Sequence, residues 1–308
     1  DKQHAVSAHN LNADVVGLFR EETIAGAHVL VIREGRIVNA NEFVLNRGTD
    51  VPDQDLLRNF LMRYYDTTTS IPREVIVRAL PEDAEAMGEW LTGKLDSAHG
   101  AKVRFCAPQK GEKADLLTMA ETNARHVLMR YKVRTNYDDK RINNALLQLE
   151  SALALDAPPM RIECFDISTI HGSYTVASMV VFADGRPLKR DYRRFQVKTL
   201  DHADDLRAME EVLERRFRRY LEGDEHFAPL PDLLLMDGGQ LQAEAACHVL
   251  ERLGLTVPVL GMVKDDRHRT RALVTPQGQE LGIQQSPPLF ALVGRVQEEV
   301  HRFAITYH

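Results

Sequence analysis

Two apolar runs in the second half of the chain, RIECFDIS and LLLMDGG, each carry an aspartate, Asp166 and Asp237. A carboxylate in such a run is almost never fully buried unless it is paired or binds a metal. The chain must therefore fold so that each acid meets a partner. If the two runs are neighbouring strands of one sheet, the two carboxylates come within reach of a shared cation. A third candidate ligand, His301, stands in the closing stretch EEVHRFAI. Asp, Asp and His around divalent ions form an apparatus for phosphodiester cleavage.

The pattern along the chain is strand-rich at first. AHVLVI and RIVNANEFVL flank Arg33-Glu34-Gly35, which predicts a hairpin within Asp14–Leu45. Apolar residues at Leu56, Leu57, Phe60 and Tyr64 predict a helix over Asp53–Tyr65. A strand at Pro72–Arg78, a helix at Glu82–Leu95, a strand at Lys102–Cys106 and a helix at Ala114–Met129 follow. Tyr137–Leu155 reads as a mainly helical connector ended by Pro158 and Pro159.

The same order then recurs. Arg161–Ser168 is a strand, and TVASMVVF and PLKRDYRRFQV flank Asp184-Gly185, a two-residue hairpin turn. Helices are predicted over Asp205–Tyr220, Gln240–Leu253 and Pro288–Ile305, with strands at Pro231–Met236 and Val257–Val263. Gly35 lies 21 residues after Asp14, and Gly185 lies 19 after Asp166. PREVIVR aligns with PDLLLMD, and AETNARHVL with QEEVHRFAI. Arg78 would then stand where Asp237 stands, and Ala124 where His301 stands. Chance similarity of two α/β units is the competing explanation. Each copy, with three strands, then helix, strand, helix, strand and helix, predicts a mixed five-stranded sheet flanked by helices, in which the first and fourth strands are neighbours. That is the ribonuclease H-like arrangement, here in two copies with the first degenerate. The expected domains are 1–135, non-catalytic, a helical connector at 136–159, and an endonuclease domain at 160–308.

Each candidate residue has a plainer alternative. Asp166 shares a strand face with Ile162 and Cys164 and could instead cap a turn at Ser168; its place mid-strand favours a metal ligand. Asp237 ends a run suited to a strand buried on both faces, where open α/β sheets place their sites, but it could be a helix N-cap. Gly238 and Gly239 would let a phosphate or metal approach the backbone. His301 sits at the edge of an apolar helical stripe and gains weight only from the two acids; Glu298 and Glu299 are rival ligands. Asp205 or Asp204 could add an accessory carboxylate or cap a helix. Lys264 ends the strand PVLGMVK and opens the charged loop KDDRHRTR; it could orient a nucleophile or touch a phosphate, but solvation is favoured. Arg186, Lys189, Arg190, Arg193, Arg194 and Lys198, interleaved with Tyr192 and Phe195, suit phosphate contact and base stacking, or simply guard a sheet edge. Arg215, Arg216, Arg218 and Arg219 would add a basic helix face.

Bulk properties set limits. A chain of 308 residues suggests two domains, and 44% hydrophobic residues support a real core. No apolar run is long enough to span a membrane. The start, DKQHAVSAHNLN, lacks the order of a secretory signal and reads as the tail of a preceding domain. Cys106, Cys164 and Cys247 have no zinc spacing and suggest a reducing, cytoplasmic setting. A net charge of −6 argues against a nucleic-acid coat protein but allows a nuclease with a local basic strip.

The strings RIECFDIS, TVASMVVF, DDLRAMEEVL, LLLMDGG and EVHRFAITYH together resemble the UvrC family, nuclease subunits of bacterial nucleotide excision repair. The match covers the second half closely and the whole chain more loosely. The resemblance implies a ribonuclease H-like endonuclease domain that uses Mg²⁺ or Mn²⁺ at Asp166, Asp237 and His301, with Asp205 or Asp204 as a further acid. It implies damaged double-stranded DNA as substrate, UvrB and, in the pathway, UvrA as partners, and incision 5′ to the lesion. Family members also carry a GIY-YIG nuclease domain, assigned the 3′ incision, a UvrB-binding segment and a helix-hairpin-helix pair. None is found here, so a central fragment is expected. Two other readings stay open: a transposase or resolvase of the same fold, and a non-catalytic scaffold for DNA and partners. Metal-dependent nicking separates them.

Overall fold

The computed structural model describes residues 10–46, 48–95, 100–135, 139–170, 174–197 and 204–306. The chain divides into two compact units, Asp1–Lys132 and Val133–His308.

The first unit opens with β1 (Ala13–Glu21), β2 (Ile24–Arg33) and β3 (Arg36–Leu45). The β2–β3 turn holds Glu34 and Gly35 at φ 52° and 72°, the two left-handed residues that a tight hairpin matching strand twist requires. Then come α1 (Asp53–Thr67), β4 (Glu74–Ile76), α2 (Ala84–Lys94), β5 (Arg104–Cys106) and α3 (Glu112–Thr135). The sheet order is β3-β2-β1-β4-β5, antiparallel through β1 and parallel beyond it. Alternate residues of β1 feed two cores. Val16 packs with Leu57, Phe60 and Leu91 of α1 and α2, whereas Ala13 and Val15 pack with Leu117 and Ala120 of α3.

The second unit begins with α4 (Lys140–Ala152), started by the Asp139 side chain accepting from the Ile142 N–H. Expected as a connector, this helix packs against the last helix of the unit. β6 (Arg161–Ile170) and β7 (Tyr174–Ala183) follow, and the Asp184-Gly185 turn repeats the geometry of Glu34-Gly35, at φ 55° and 78°. The single strand expected after it is broken. β8 (Arg186–Pro187) ends at proline, a 3-10 turn covers Lys189–Asp191, and β9 (Arg193–Gln196) returns to pair with β7. α5 (Asp205–Leu221), β10 (Leu233–Met236), α6 (Gln240–Arg252) and β11 (Val259–Lys264) continue the order. A hairpin of β12 (Thr270–Val274) and β13 (Glu280–Gly282) was not expected; it precedes α7 (Pro287–Ile305), whose first turn carries the prolines that suit it.

The second sheet therefore has eight strands, β13-β12-β11-β10-β6-β7-β8 with β9 also on β7, where five were expected. The divided third strand and the added hairpin account for the excess. The expected adjacency of first and fourth strands is present in both sheets, as parallel β1/β4 and β6/β10 pairs. One core packs Phe165 and Met236 against Met209, Leu213 and Phe217 of α5 and Ala246 and Val249 of α6. α7 packs against β6 and β7.

Candidate metal centre

Asp166 sits within β6 opposite Ser178 of β7, on the strand face it shares with Cys164. Asp237 follows β10 directly. Its N–H donates to the Phe165 carbonyl at 3.0 Å, continuing the parallel ladder and bringing it beside Asp166. The turn after Asp237 is tightly built. A Cβ on Gly238 would lie 2.0 Å from the side-chain amide carbon of Gln242, and one on Gly261 would lie 2.3 Å from the Gly239 carbonyl oxygen. The two glycines foreseen as an open approach to the backbone thus also let the chain turn sharply against β11.

One ligand atom each from Asp166, Asp237 and His301 lie within 4.8 Å of one another; among the described residues this is the group of acids, histidines and cysteines that could hold a metal. His301 Nε2 is 2.8 Å from Asp237 Oδ2. Lys264 Nζ lies 2.7 Å from Asp237 Oδ1 and donates to the Asp237 carbonyl at 3.3 Å. The ammonium is near Oδ1 as an ion-pair partner but is not directed along a hydrogen bond to it, and that buried oxygen has no hydrogen-bond donor. Burial, with the negative charge of Asp237 next in size, pushes the Asp166 carboxyl up to about 7; His301 and Lys264 pull it the other way. Two crowded carboxylates, one with an oxygen that accepts no hydrogen bond, and an imidazole make a donor set that fits a hard divalent cation such as Mg²⁺ or Mn²⁺.

The remaining candidates fall elsewhere. Asp204 caps α5, accepting from the N–H groups of Leu206 and Arg207. Asp205 is exposed in the first turn of α5 and is outside the three-residue group. Glu299 is taken by the Tyr192 hydroxyl at 2.9 Å and by Arg302, and Glu298 is exposed. Lys264 ends β11, as the strand PVLGMVK suggested, but its ammonium is turned to Asp237 where solvation was favoured.

The basic strip divides as well. Arg186, Lys189 and Arg190 are exposed. Arg193 donates to the carbonyls of Arg190 and Tyr192 at 2.9 and 2.8 Å. Arg194 donates to the Phe303 carbonyl and the Thr306 hydroxyl at 2.8 and 2.9 Å and lies 3.8 Å over the Phe303 ring. These two tie the structure together, whatever else they touch. Lys198 lies outside the described residues. Arg216 is fully buried, so it is no part of a basic helix face. Its guanidinium donates to Glu163 at 3.0 and 2.9 Å, and Arg161, itself paired with Asp191 at 2.7 Å, reaches the same carboxylate at 3.0 Å. The sequence signal for this cluster was an acid in an apolar strand, the same signal that marked Asp166.

The first sheet has a different occupant at each corresponding place. In both sheets the fourth-strand pairing and the hairpin register match Glu163, not Asp166, to Asp14. Asp14 is buried, accepting from the Tyr65 hydroxyl at 2.6 Å and Arg33 at 2.9 Å. Gly17 takes the Asp166 position, and a Cβ there would lie 2.3 Å from the Ala120 carbonyl carbon of α3. Arg78, three residues past the Asp14 partner Val75 as Asp237 is past Leu234, is bound by Glu121 of α3, with one hydrogen bond of 3.2 Å. The helix residue that reaches this place is thus Glu121, whereas Ala124, expected to match His301, packs with its carbonyl toward Gly26.

Residues 150–305 match the family model described as the UvrC RNAse H endonuclease domain, and residues 12–131 match the UvrC Ribonuclease H-like domain. The whole chain is 39% identical to "UvrABC system protein C" of Clostridium novyi (strain NT), over 51% of that protein. The same-named protein of Alkaliphilus oremlandii (strain OhILAs) is 38% identical over 51% of its length. That of Caldicellulosiruptor saccharolyticus is 40% identical over 49%, again matching all of this chain. The chain spans about half the length of the curated relatives it matches.

Proposed function

This chain belongs to the UvrC family, and from that premise we propose that Val133–His308 is a metal-dependent endonuclease unit of nucleotide excision repair, cutting damaged DNA on the 5′ side of the lesion. The observation that carries this reading is the convergence of Asp166, Asp237 and His301 within 4.8 Å. The relatives' name, a component of a UvrABC system, supports UvrB and UvrA as working partners and DNA in the cytoplasm as the place of work. Among the described residues no helix is long and apolar enough to cross a membrane.

Asp166, Asp237 and His301 would hold Mg²⁺ or Mn²⁺, which when bound supplies an activated water and charge for the leaving 3′-oxygen. The chain's own groups do the rest. His301 and the β10 ladder fix the orientation of Asp237. Lys264 places a positive charge where negative charge would gather on the attacked phosphate. Arg186, Lys189 and Arg190 offer exposed cations for the backbone of the duplex, which makes affinity steeply salt-dependent. Asp205 would be an accessory acid. The first unit we infer to be non-catalytic: Arg78 puts a fixed cation where an ion would bind, and α3 closes over Gly17.

The test uses the longer protein with its partners on a lesion-bearing duplex, scored at the 5′ cut. Asp166→Ala and Asp237→Ala should each lower Mn²⁺-dependent incision by roughly a thousandfold or more. Mn²⁺ at about 100 times its Kd should raise stability by about 2.7 kcal/mol, and either variant should lose that gain. Retained 5′ incision in both variants would remove the assignment. Joined or exchanged strands in place of nicks would favour a transposase or resolvase.

A further inference from the structure

A cleft of about 420 Å³ runs from His301 along α7, between that helix and the start of β12. Its volume is that of a small-molecule site. Phe290, Gly294, Gln297, Glu298 and His301 line it at helical spacing, so one stripe of α7 leads straight to the metal centre. The floor is rigid. Gln297 is buried and fully used: its oxygen accepts from the Thr270 N–H at 2.8 Å and from the Thr270 hydroxyl, and its nitrogen donates to the His268 carbonyl at 2.7 Å. The walls are available. Phe290 is 41% exposed, an unusual state for a phenylalanine, and the Arg269 side chain is 64% exposed with only a 3.6 Å approach to Asp265. Gly294 keeps the cleft open, since a Cβ there would meet nothing within 4 Å.

We propose that this cleft is a subsite for one unpaired nucleotide of the cut strand, next to the scissile phosphate. The proposal rests on the nuclease reading for the identity of the strand, but its chemistry is local. A phenylalanine face accepts a base by stacking, whatever the base. The Arg269 guanidinium meets the adjoining phosphate. Glu298, an exposed carboxylate on the same stripe, accepts from an exocyclic amino group, as carboxylates do with cytosine.

The experiment measures binding of this chain to a short single-stranded deoxyoligonucleotide and to a fully abasic strand of the same length, without added metal. Gly294→Leu fills the cleft and should weaken binding about tenfold. It should leave the fold intact, because leucine favours a helix over glycine and its Cβ meets nothing within 4 Å. Phe290→Ala should weaken binding of the base-bearing oligonucleotide to a similar degree, and should have no effect on the abasic one. Unchanged affinity in Gly294→Leu overturns the proposal, as does an equal penalty for Phe290→Ala on both oligonucleotides. Asp166→Ala, assayed for incision in the longer protein, tests the nuclease reading separately. Loss of that reading would leave the binding result standing, and loss of the cleft would leave Asp166-dependent incision untouched.

Discussion

At the same register position of their first strands, one sheet carries Gly17 and the other Asp166. Around Gly17 the helix α3 lies against the strand so closely that no side chain fits. Around Asp166 a carboxylate, a second carboxylate and an imidazole lie in the layer between strand and helix. The contrast extends to the charges. Arg78 and Glu121 neutralise each other in one unit, while in the other two acids face one lysine and one histidine. A metal centre in this fold therefore asks for more than ligands at strand ends; it asks for a helix held away from the sheet. Three residues back the units agree again, since Asp14 and Glu163 are both buried acids held by arginine. The scaffold charge is common to both, and the group of Asp166, Asp237 and His301 belongs to one.

The comparison breaks most sharply if the two scaffold acids prove interchangeable in worth. Arg216→Ala leaves the unexposed Glu163 carboxylate to Arg161 alone and empties a fully buried site, and should cost about 3–5 kcal/mol in chemical denaturation. Arg33→Ala should cost much less, because Arg33 is partly exposed where Arg216 is buried, and water can replace it at Asp14. Equal costs would mean that the first unit depends on its buried charge as heavily as the second.

Restoring a carboxylate to the first unit is the next test. Gly17→Asp drives a side chain into the α3 backbone and should destabilise by about 3 kcal/mol without creating metal affinity. A variant that folds at full stability and binds Mn²⁺ would show that α3 can lift, and that the ligands alone separate the units.

Tyr65→Phe sharpens the contrast through pH. Burial raises the Asp14 carboxyl above its ordinary 3.8, against the pull of Tyr65 and Arg33. A raised carboxyl makes its contribution to stability fullest below the unfolded value, and that contribution falls as pH climbs toward the folded one. Removing the phenol raises the folded value further. The variant should thus be near wild type at low pH and about 1–2 kcal/mol weaker at neutral pH, with Asp14 titrating later by carboxyl NMR.

The smallest effect belongs to Asp205. Exposed and apart from the three-residue group, Asp205→Asn should move stability by less than about 0.5 kcal/mol. A tenfold fall in incision with that variant would bring α5 into the reactive cluster.

Much of this architecture was legible because strands and helices announce themselves by period. The apolar runs of β2 and β7 and the Glu34-Gly35 and Asp184-Gly185 turns are local signals, and they placed both hairpins. Asp166, Asp237 and His301 were visible because two were acids in apolar strands. What stayed hidden was set at long range. The pairing of Lys264, at a strand end, with Asp237 was not visible because the two are distant in sequence. The β12–β13 hairpin was masked by the charged run before it. Asp14 was paired with Asp166 by spacing alone, and only strand register, set by hydrogen bonding between strands, shows that Glu163 is its counterpart.

The way α7 ends has a consequence for timing. His301 stands in the last turns of a helix that stops at Ile305, the part of any helix that frays first. Arg194, Tyr192 and the Phe303 ring, packed together from the β9 side, grip that end. Whenever the grip slips, the imidazole leaves while the sheet and both aspartates stay in place. The fraction of molecules in which all three residues are assembled is then expected to follow a local opening equilibrium of one helix end and not global unfolding. Amide exchange at Arg302 and Phe303 would read that fraction directly, as the share of time each molecule spends switched off.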